Sequence, residues 1–171
     1  MKKEVTLRIA LGTVLFATPP GALAQAAPQP AVKGTVMTEK ARGTFEVKVK
    51  PLPDDVKVEG VAVGRLSIDK AWAGDIVGTS KGEMMTAGGE VKGSGGYVAV
   101  EMMKVSLKGR SGTFTLMHHA TMKGNADFKM LINVIPDSGT GELTGLAGVL
   151  TIIIEPGKHS YVFDYTLPGA M

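Results

Sequence analysis

The chain has 171 residues, with 19 basic and 16 acidic side chains and a formal net charge of +3. Without residues 1–24, interpreted below as a signal peptide, 16 basic residues face 15 acidic ones. This net charge of about +1, with no basic cluster interleaved with aromatic residues, argues against a nucleic-acid partner. Cysteine is absent, which excludes disulfides, paired-cysteine metal motifs and a lipid anchor on cysteine. A chain of this size buries enough surface to fold without such bridges.

The first 24 residues carry the features of a secretory signal peptide. Three basic residues accompany a short apolar run over residues 9–17, and Ala22-Leu23-Ala24 is a small-residue cleavage signature. We therefore expect a periplasmic or secreted protein cut after Ala24, with Ala26 as the alternative position. No later stretch approaches the roughly 20 apolar residues of a transmembrane helix. Cleavage removes three basic residues and one acidic residue, which leaves 16 basic and 15 acidic residues.

The rest of the chain is predicted to be a leader followed by strands. Residues 25–42 are rich in Ala, Pro, Gln and Lys without a period, which predicts a flexible leader. Residues 43–168 repeat one unit, an alternating apolar and polar stretch followed by a break at Gly or Pro. Strands are predicted at 44–50, 64–72, 76–84, 97–107, 113–122, 128–135, 149–155 and 159–167. Eight sequential strands with short links favour an all-β fold, a single eight-stranded antiparallel up-and-down barrel.

The hairpin around Lys108-Gly109 predicts which residues face the barrel interior. A two-residue turn there places Leu107 opposite Arg110. Since side chains alternate across a strand, one apolar face then carries both Glu101 and His118 as diagonal neighbours. A slip of one residue in the turn would instead bring His119 inside.

A buried carboxylate beside a buried imidazole permits three interpretations. Burial disfavours both charged forms, whereas their mutual hydrogen bond favours an ion pair or a shared proton. The pair is then a structural lock between two strands, a polar handle for a ligand, or an acid/base pair. The pattern alone assigns no catalytic residue.

Aromatic residues supply the other candidates for ligand binding. The last predicted strand places Tyr161 and Tyr165 on one apolar face, where packing is the simpler interpretation. Tyr97 begins the fourth predicted strand. The single tryptophan, Trp72, is expected at an end or rim of the barrel. The candidate ligand-binding set is Glu101, His118, Tyr97, Tyr161 and Tyr165.

Motifs for cofactors are missing from the sequence. The glycine-rich segment 138–148 has neither the Lys-Ser/Thr pair nor the following helix of a phosphate-binding loop, and is interpreted as a tight corner between strands. There is no nucleophile elbow and no His-Glu-x-x-His. The ten methionines and three histidines raise copper binding, but Met117 and His118 point to opposite faces. We expect no cofactor and no metal.

Several spaced motifs resemble one bacterial family. They are Gly95-Gly96-Tyr97, Glu101, the run from Gly109 to His118, the run from Ser138 to Leu143, and the final His159, Tyr161 and Tyr165. This combination resembles the family known as domain of unknown function 3224. The resemblance implies a barrel similar to that of plant allene oxide cyclase, a calycin-like architecture, and assigns no chemistry. Met117-His118-His119-Ala120 departs from the expected single histidine.

Three function classes follow from these expectations. The first is a binding module that holds a small hydrophobic molecule in the barrel lumen. The second is a cyclase- or isomerase-type enzyme that uses Glu101 and His118 as an acid/base pair. The third is a structural or interaction protein with a filled barrel and an apolar exterior patch, including contacts between copies in a homo-oligomer.

Overall fold

A computed structural model describes residues 37–53, 59–124 and 126–169. The predicted signal peptide and most of the predicted leader lie outside the described residues. The described residues all lie in one compact unit. It contains eight strands: β1 (Glu39–Leu52), β2 (Ala62–Gly74), β3 (Ile76–Gly88), β4 (Gly95–Leu107), β5 (Arg110–Lys123), β6 (Ala126–Val134), β7 (Ala147–Glu155) and β8 (Lys158–Thr166).

The strands form a closed barrel in which each strand pairs antiparallel with its neighbours along the chain, and β8 pairs with β1. The predicted fold is therefore confirmed. One boundary is wrong: β1 begins at Glu39, so residues 39–42 belong to the barrel rather than to the leader. Their pairing with β8, from Glu39 opposite Tyr165, holds them in the sheet. In the described part of the chain, no helix is long and apolar enough to cross a membrane.

The turn between β4 and β5 fixes the register of the central hairpin. Lys108 and Gly109 both have positive φ, at 45° and 88°, as a two-residue turn that follows the strand twist requires. Leu107 pairs with Arg110 as predicted, and the ladder continues without a shift to Gly95 opposite Met122. Glu101 and His118 consequently face the interior, whereas His119 faces outward.

One end of the barrel is filled by packed side chains. We call this the closed end; it holds the β2–β3, β4–β5 and β6–β7 connections. The β6–β7 connection contains a 3₁₀ turn (Gly141–Leu143) and inserts Leu143 and Leu146, which are fully buried. The glycine-rich corner therefore both reverses the chain and contributes two side chains to the core. Around these two leucines lie the fully buried side chains Ile76, Leu107, Phe114, Phe163 and Tyr165.

The opposite end is less well filled. We call it the open end; it holds the β1–β2, β3–β4, β5–β6 and β7–β8 connections. Inward positions here carry apolar side chains that remain exposed: Val49 (47% exposed), Met122 (38%), Phe128 (52%) and Ile154 (64%). Apolar side chains that point inward and still contact solvent indicate a lumen that opens at this end.

The wall between β6 and β7 is the weakest part of the barrel. These strands pair at one described position, Asn133 opposite Val149, whereas β7 pairs with β8 along its full length. Beyond Asn133 and Val149, toward the open end, β6 and β7 therefore form a slit in the ladder. By alternation the inward residues beside the slit are Met130 and Ile152, both partly buried against the core.

Candidate functional site

Glu101 and His118 meet inside the barrel, as the hairpin register predicts. Ala99 pairs with His118 and Glu101 pairs with Leu116. Glu101 is fully buried and His118 is 3% exposed. Nε2 of His118 lies 3.0 Å from Oε2 of Glu101. The contact is thus confirmed, while the ligand-binding role of the two residues stays a prediction.

Two further residues complete the buried cluster, and the sequence analysis missed both. Lys70 of β2 donates from Nζ to Oε2 of Glu101 at 2.8 Å, and Ser80 of β3 donates to Oε1. Lys70 shares the inward parity of Leu66 and Ile68, which is the signal that could have revealed it. We call Lys70, Ser80, Glu101 and His118 the polar cluster.

Aromatic rings enclose the lysine of the polar cluster. Nζ of Lys70 lies 4.8 Å from the ring centroid of Phe45 and 5.1 Å from that of Trp72. A cation at this distance is attracted by the faces of both rings. Trp72 also donates from Nε1 to Oγ of Ser80 at 2.8 Å. Trp72 therefore lies in the core and connects the lysine and the serine of the polar cluster.

The polar cluster keeps Glu101 ionised. Burial by itself raises the pKa of this carboxyl, but the contacts with His118, Lys70 and Ser80 outweigh burial and lower the pKa from 4.5 to about 2. A carboxylate held so far below neutral pH accepts a proton poorly. The geometry therefore supports Glu101 as a fixed negative charge that orients its neighbours, rather than as a general base.

His118 makes close contact with Glu101 without a directed hydrogen bond. The distance of 3.0 Å is short enough for one, yet the angles are unfavourable, and Nε2 is a buried polar atom with no aligned partner among the described residues. Two lone pairs facing each other at this distance would repel, so Nε2 carries a proton. This N–H is the one buried side-chain donor of the described chain that lacks an aligned acceptor.

Tyr97 lies two inward positions nearer the open end than Glu101, on the same strand. Its hydroxyl contacts Sδ of Met130 at 3.2 Å, a weak acceptor. Burial, and to a lesser extent the negative charge of Glu101, raise the pKa of Tyr97. A cavity of about 410 Å³ at the open end is lined by Tyr97, Ala120, Met122 and Phe128 among other residues. Tyr97 thus lies between this cavity and the polar cluster.

The other two candidate tyrosines serve the closed end instead. The Tyr161 hydroxyl accepts from the backbone N–H of Ile76 at 2.8 Å. The Tyr165 hydroxyl bonds Oε2 of Glu39 at 2.8 Å, and burial together with Glu39 raises the pKa of Tyr165 to about 12. Neither hydroxyl has a hydrogen bond to the polar cluster in the described structure. Their placement agrees with the packing interpretation.

The outside of the barrel carries an apolar strip on β4 and β5. Val98, Val100, Met102 and Met117 point outward and are 47–64% exposed. Met117 and His118 therefore face opposite sides of the sheet, as expected from alternation. Within the described ranges, no group of three His, Cys, Asp or Glu side chains could hold a metal ion.

Comparison with known proteins places the chain within a family. The profile of a family described as "Protein of unknown function (DUF3224)" matches residues 41–165. A crystal structure of a DUF3224 protein of unknown function from Shewanella oneidensis MR-1 is 41% identical and superimposes with a TM-score of 0.73. The match covers 78% of this chain and 100% of that protein. No curated protein matches the sequence significantly.

Proposed function

The chain belongs to the DUF3224 family of proteins of unknown function, and from the geometry of its barrel we propose that it binds a small, mostly apolar molecule in the open-end half of the lumen. The observation that carries this proposal is the difference between the two ends. The closed end is filled by a packed core, whereas inward apolar side chains at the open end remain exposed. Burying such side chains against an apolar ligand is favourable by about 25 cal/mol per Å².

The size and lining of the open end suit such a ligand. The cavity of about 410 Å³ lies within the range of small-molecule sites, which are mostly apolar with a few polar groups that fix orientation. Tyr97 supplies such a polar group in the lining of the cavity, and the polar cluster lies deeper in the lumen, beyond Tyr97. Beside the gap in the ladder between β6 and β7, the inward residues Met130 and Ile152 add apolar side chains to the wall of the lumen.

The two alternative functions have less support. An enzyme in which Glu101 itself transfers protons needs this carboxyl to titrate near neutral pH, and its pKa of about 2 opposes that role. An interaction protein needs a filled interior, and the open end is not filled. An interaction protein also needs an apolar exterior patch, which the apolar strip on β4 and β5 provides. The experiment must therefore distinguish binding inside the barrel from binding to this strip.

Substitutions of two adjacent isoleucines on β7, one facing inward and one facing outward, distinguish the two binding sites. Ile154 points inward at the open end and is 64% exposed, whereas Ile153 points outward and is 43% exposed. Titration with the uncharged dye Nile red should give saturable binding that Ile154→Glu weakens at least about tenfold, because a charge enters the apolar site, and that Ile153→Glu leaves unchanged. Extraction and mass spectrometry of the purified protein should release a hydrophobic molecule.

Two results would contradict lumen binding. Nile red would either fail to bind the wild-type protein, or lose affinity when the outward residue Val100 is changed to Glu while Ile154→Glu has no effect. The second result would place the dye on the exterior strip.

A further inference from the structure

The buried N–H of His118 is only partly satisfied, because it lies 3.0 Å from the Glu101 carboxylate without being aligned with it. Nε2 is fully buried and has no aligned acceptor among the described residues. A buried donor that is poorly aligned with its acceptor is unfavourable, and His118 is held in this position by its strand, opposite Ala99. A group that accepts along the direction of this N–H would therefore form a hydrogen bond that Glu101 does not form.

The Glu101 carboxylate indicates that a ligand group which accepts from His118 should also carry a hydrogen-bond donor. This carboxylate is ionised and offers about four lone-pair directions. Lys70 and Ser80 use two of them through directed hydrogen bonds, and the contact with His118 is not aligned. Glu101 can therefore accept one more hydrogen bond beside His118. A group at this position meets both a donor and an acceptor within 3.0 Å of each other.

We propose that His118 and Glu101 together recognise a hydroxyl group at the end of the apolar ligand. The hydroxyl oxygen accepts from Nε2–H of His118, and the hydroxyl hydrogen is donated to Oε2 of Glu101. An ether offers only an acceptor and leaves the Glu101 direction unused. A carboxylate offers only acceptors and brings a second negative charge beside Glu101, whose own charge is already neutralised by Lys70.

Small residues stand between the open-end cavity and His118. Ala99 lies opposite His118, and Ala120 is the next inward residue of β5 toward the open end. They are 4% and 2% exposed, and Ala120 also lines the open-end cavity. Tyr97, paired with Ala120, holds only the weak acceptor Met130. Its side chain can turn without the loss of a strong hydrogen bond. The inference rests on the proposed function, because it names the polar end of the same ligand.

Ligand chemistry tests this inference in the wild-type protein. Three probes of similar size are n-octanol, methyl heptyl ether and octanoate. Trp72 is the only tryptophan of the chain and contacts the polar cluster, so its fluorescence, together with calorimetry, reports binding. We expect octanol to bind about tenfold tighter than the ether, the ratio expected for one hydrogen bond to a charged group, and octanoate to bind more weakly than octanol.

Paired histidine variants provide the second arm. His118→Leu should bind octanol and the ether equally, His118→Gln should retain the preference through its amide N–H, and the outward-facing control His119→Leu should behave as wild type. Equal affinity of the wild type for octanol and the ether would overturn the hydroxyl inference and leave lumen binding intact. Failure of all three probes and of Nile red to bind would overturn both proposals. If His118→Leu does not fold, the affinities of the wild-type protein for the three probes still test whether a hydroxyl group is recognised.

Discussion

At the scale of single residues, the stability of the interior depends on the charge of Glu101. This carboxylate is the counter-ion of Lys70, which is only 8% exposed, and removing one member of a buried pair leaves the other charge uncompensated. We expect Glu101→Gln to lower the free energy of unfolding by about 3–5 kcal/mol, measured by urea denaturation.

A surface pair on the same sheet provides the control. Glu83 bonds Arg65 at 2.8 Å, but its side chain is 62% exposed, so Glu83→Gln should cost about 0–1 kcal/mol. Equal losses in the two variants would show that Lys70 does not depend on Glu101.

The same carboxylate should make stability depend on acid pH. Its pKa falls from 4.5 to about 2 on folding, so the folded state favours the ionised form. Its contribution of about 3 kcal/mol is fully present above about pH 4.5 and is lost as pH falls toward about 2. Unfolding free energies measured from about pH 6 down to about pH 3 should decline more steeply for wild type than for Glu101→Gln. Parallel curves for the two proteins would contradict this assignment.

The candidate site shows what the sequence can and cannot reveal about individual residues. The contact between Glu101 and His118 follows from one turn and from alternation, because both residues lie within a single short hairpin. Lys70 was missed because lysine is rarely buried and because its partner lies 31 positions away along the chain. Its contact depends on how the barrel closes, which no local pattern specifies.

At the scale of elements, the backbone amides of β7 should be protected from hydrogen exchange only where they face β8. Its amide hydrogens point alternately toward β8, where the ladder is complete, and toward β6, where one position pairs. Hydrogen exchange measured residue by residue by NMR should therefore alternate between slow and fast beyond Val149. In the same experiment β4, which is paired along its length on both sides, should be slow at every amide. Uniform protection of β7 would mean that the slit is closed in solution.

The slit also illustrates the limit of reading strands from a sequence. Both β6 and β7 alternate as ordinary strands, so their existence was predicted. The register between β6 and β7 could not be predicted, because the connection from Ile135 to Leu146 is too long to fix it. The two-residue turn at Lys108-Gly109, by contrast, fixes the register of β4 and β5. The glycines of the β6–β7 connection predicted a corner, but not that Leu143 and Leu146 would fill the closed end.

At the scale of the whole molecule, the predicted export signal and the barrel are separate parts of the chain. β1 begins at Glu39, so a cut after Ala24 leaves every described strand intact. We propose that the protein is exported, and we expect the full chain expressed in a bacterium with a periplasm to yield a periplasmic product that begins at Gln25. Intact-mass measurement distinguishes this product from one cut after Ala26.

The cleavage site itself provides matched variants. Signal peptidase sites require small residues at the two alanine positions and tolerate change between them. Ala22→Asp combined with Ala24→Asp should block processing and leave the precursor at full mass, whereas Leu23→Gln should be processed normally. Since neither change touches a described strand, both proteins should retain the β-sheet circular dichroism of the barrel. Wild-type protein found at full mass in the cytoplasm would contradict export, without bearing on what the lumen binds.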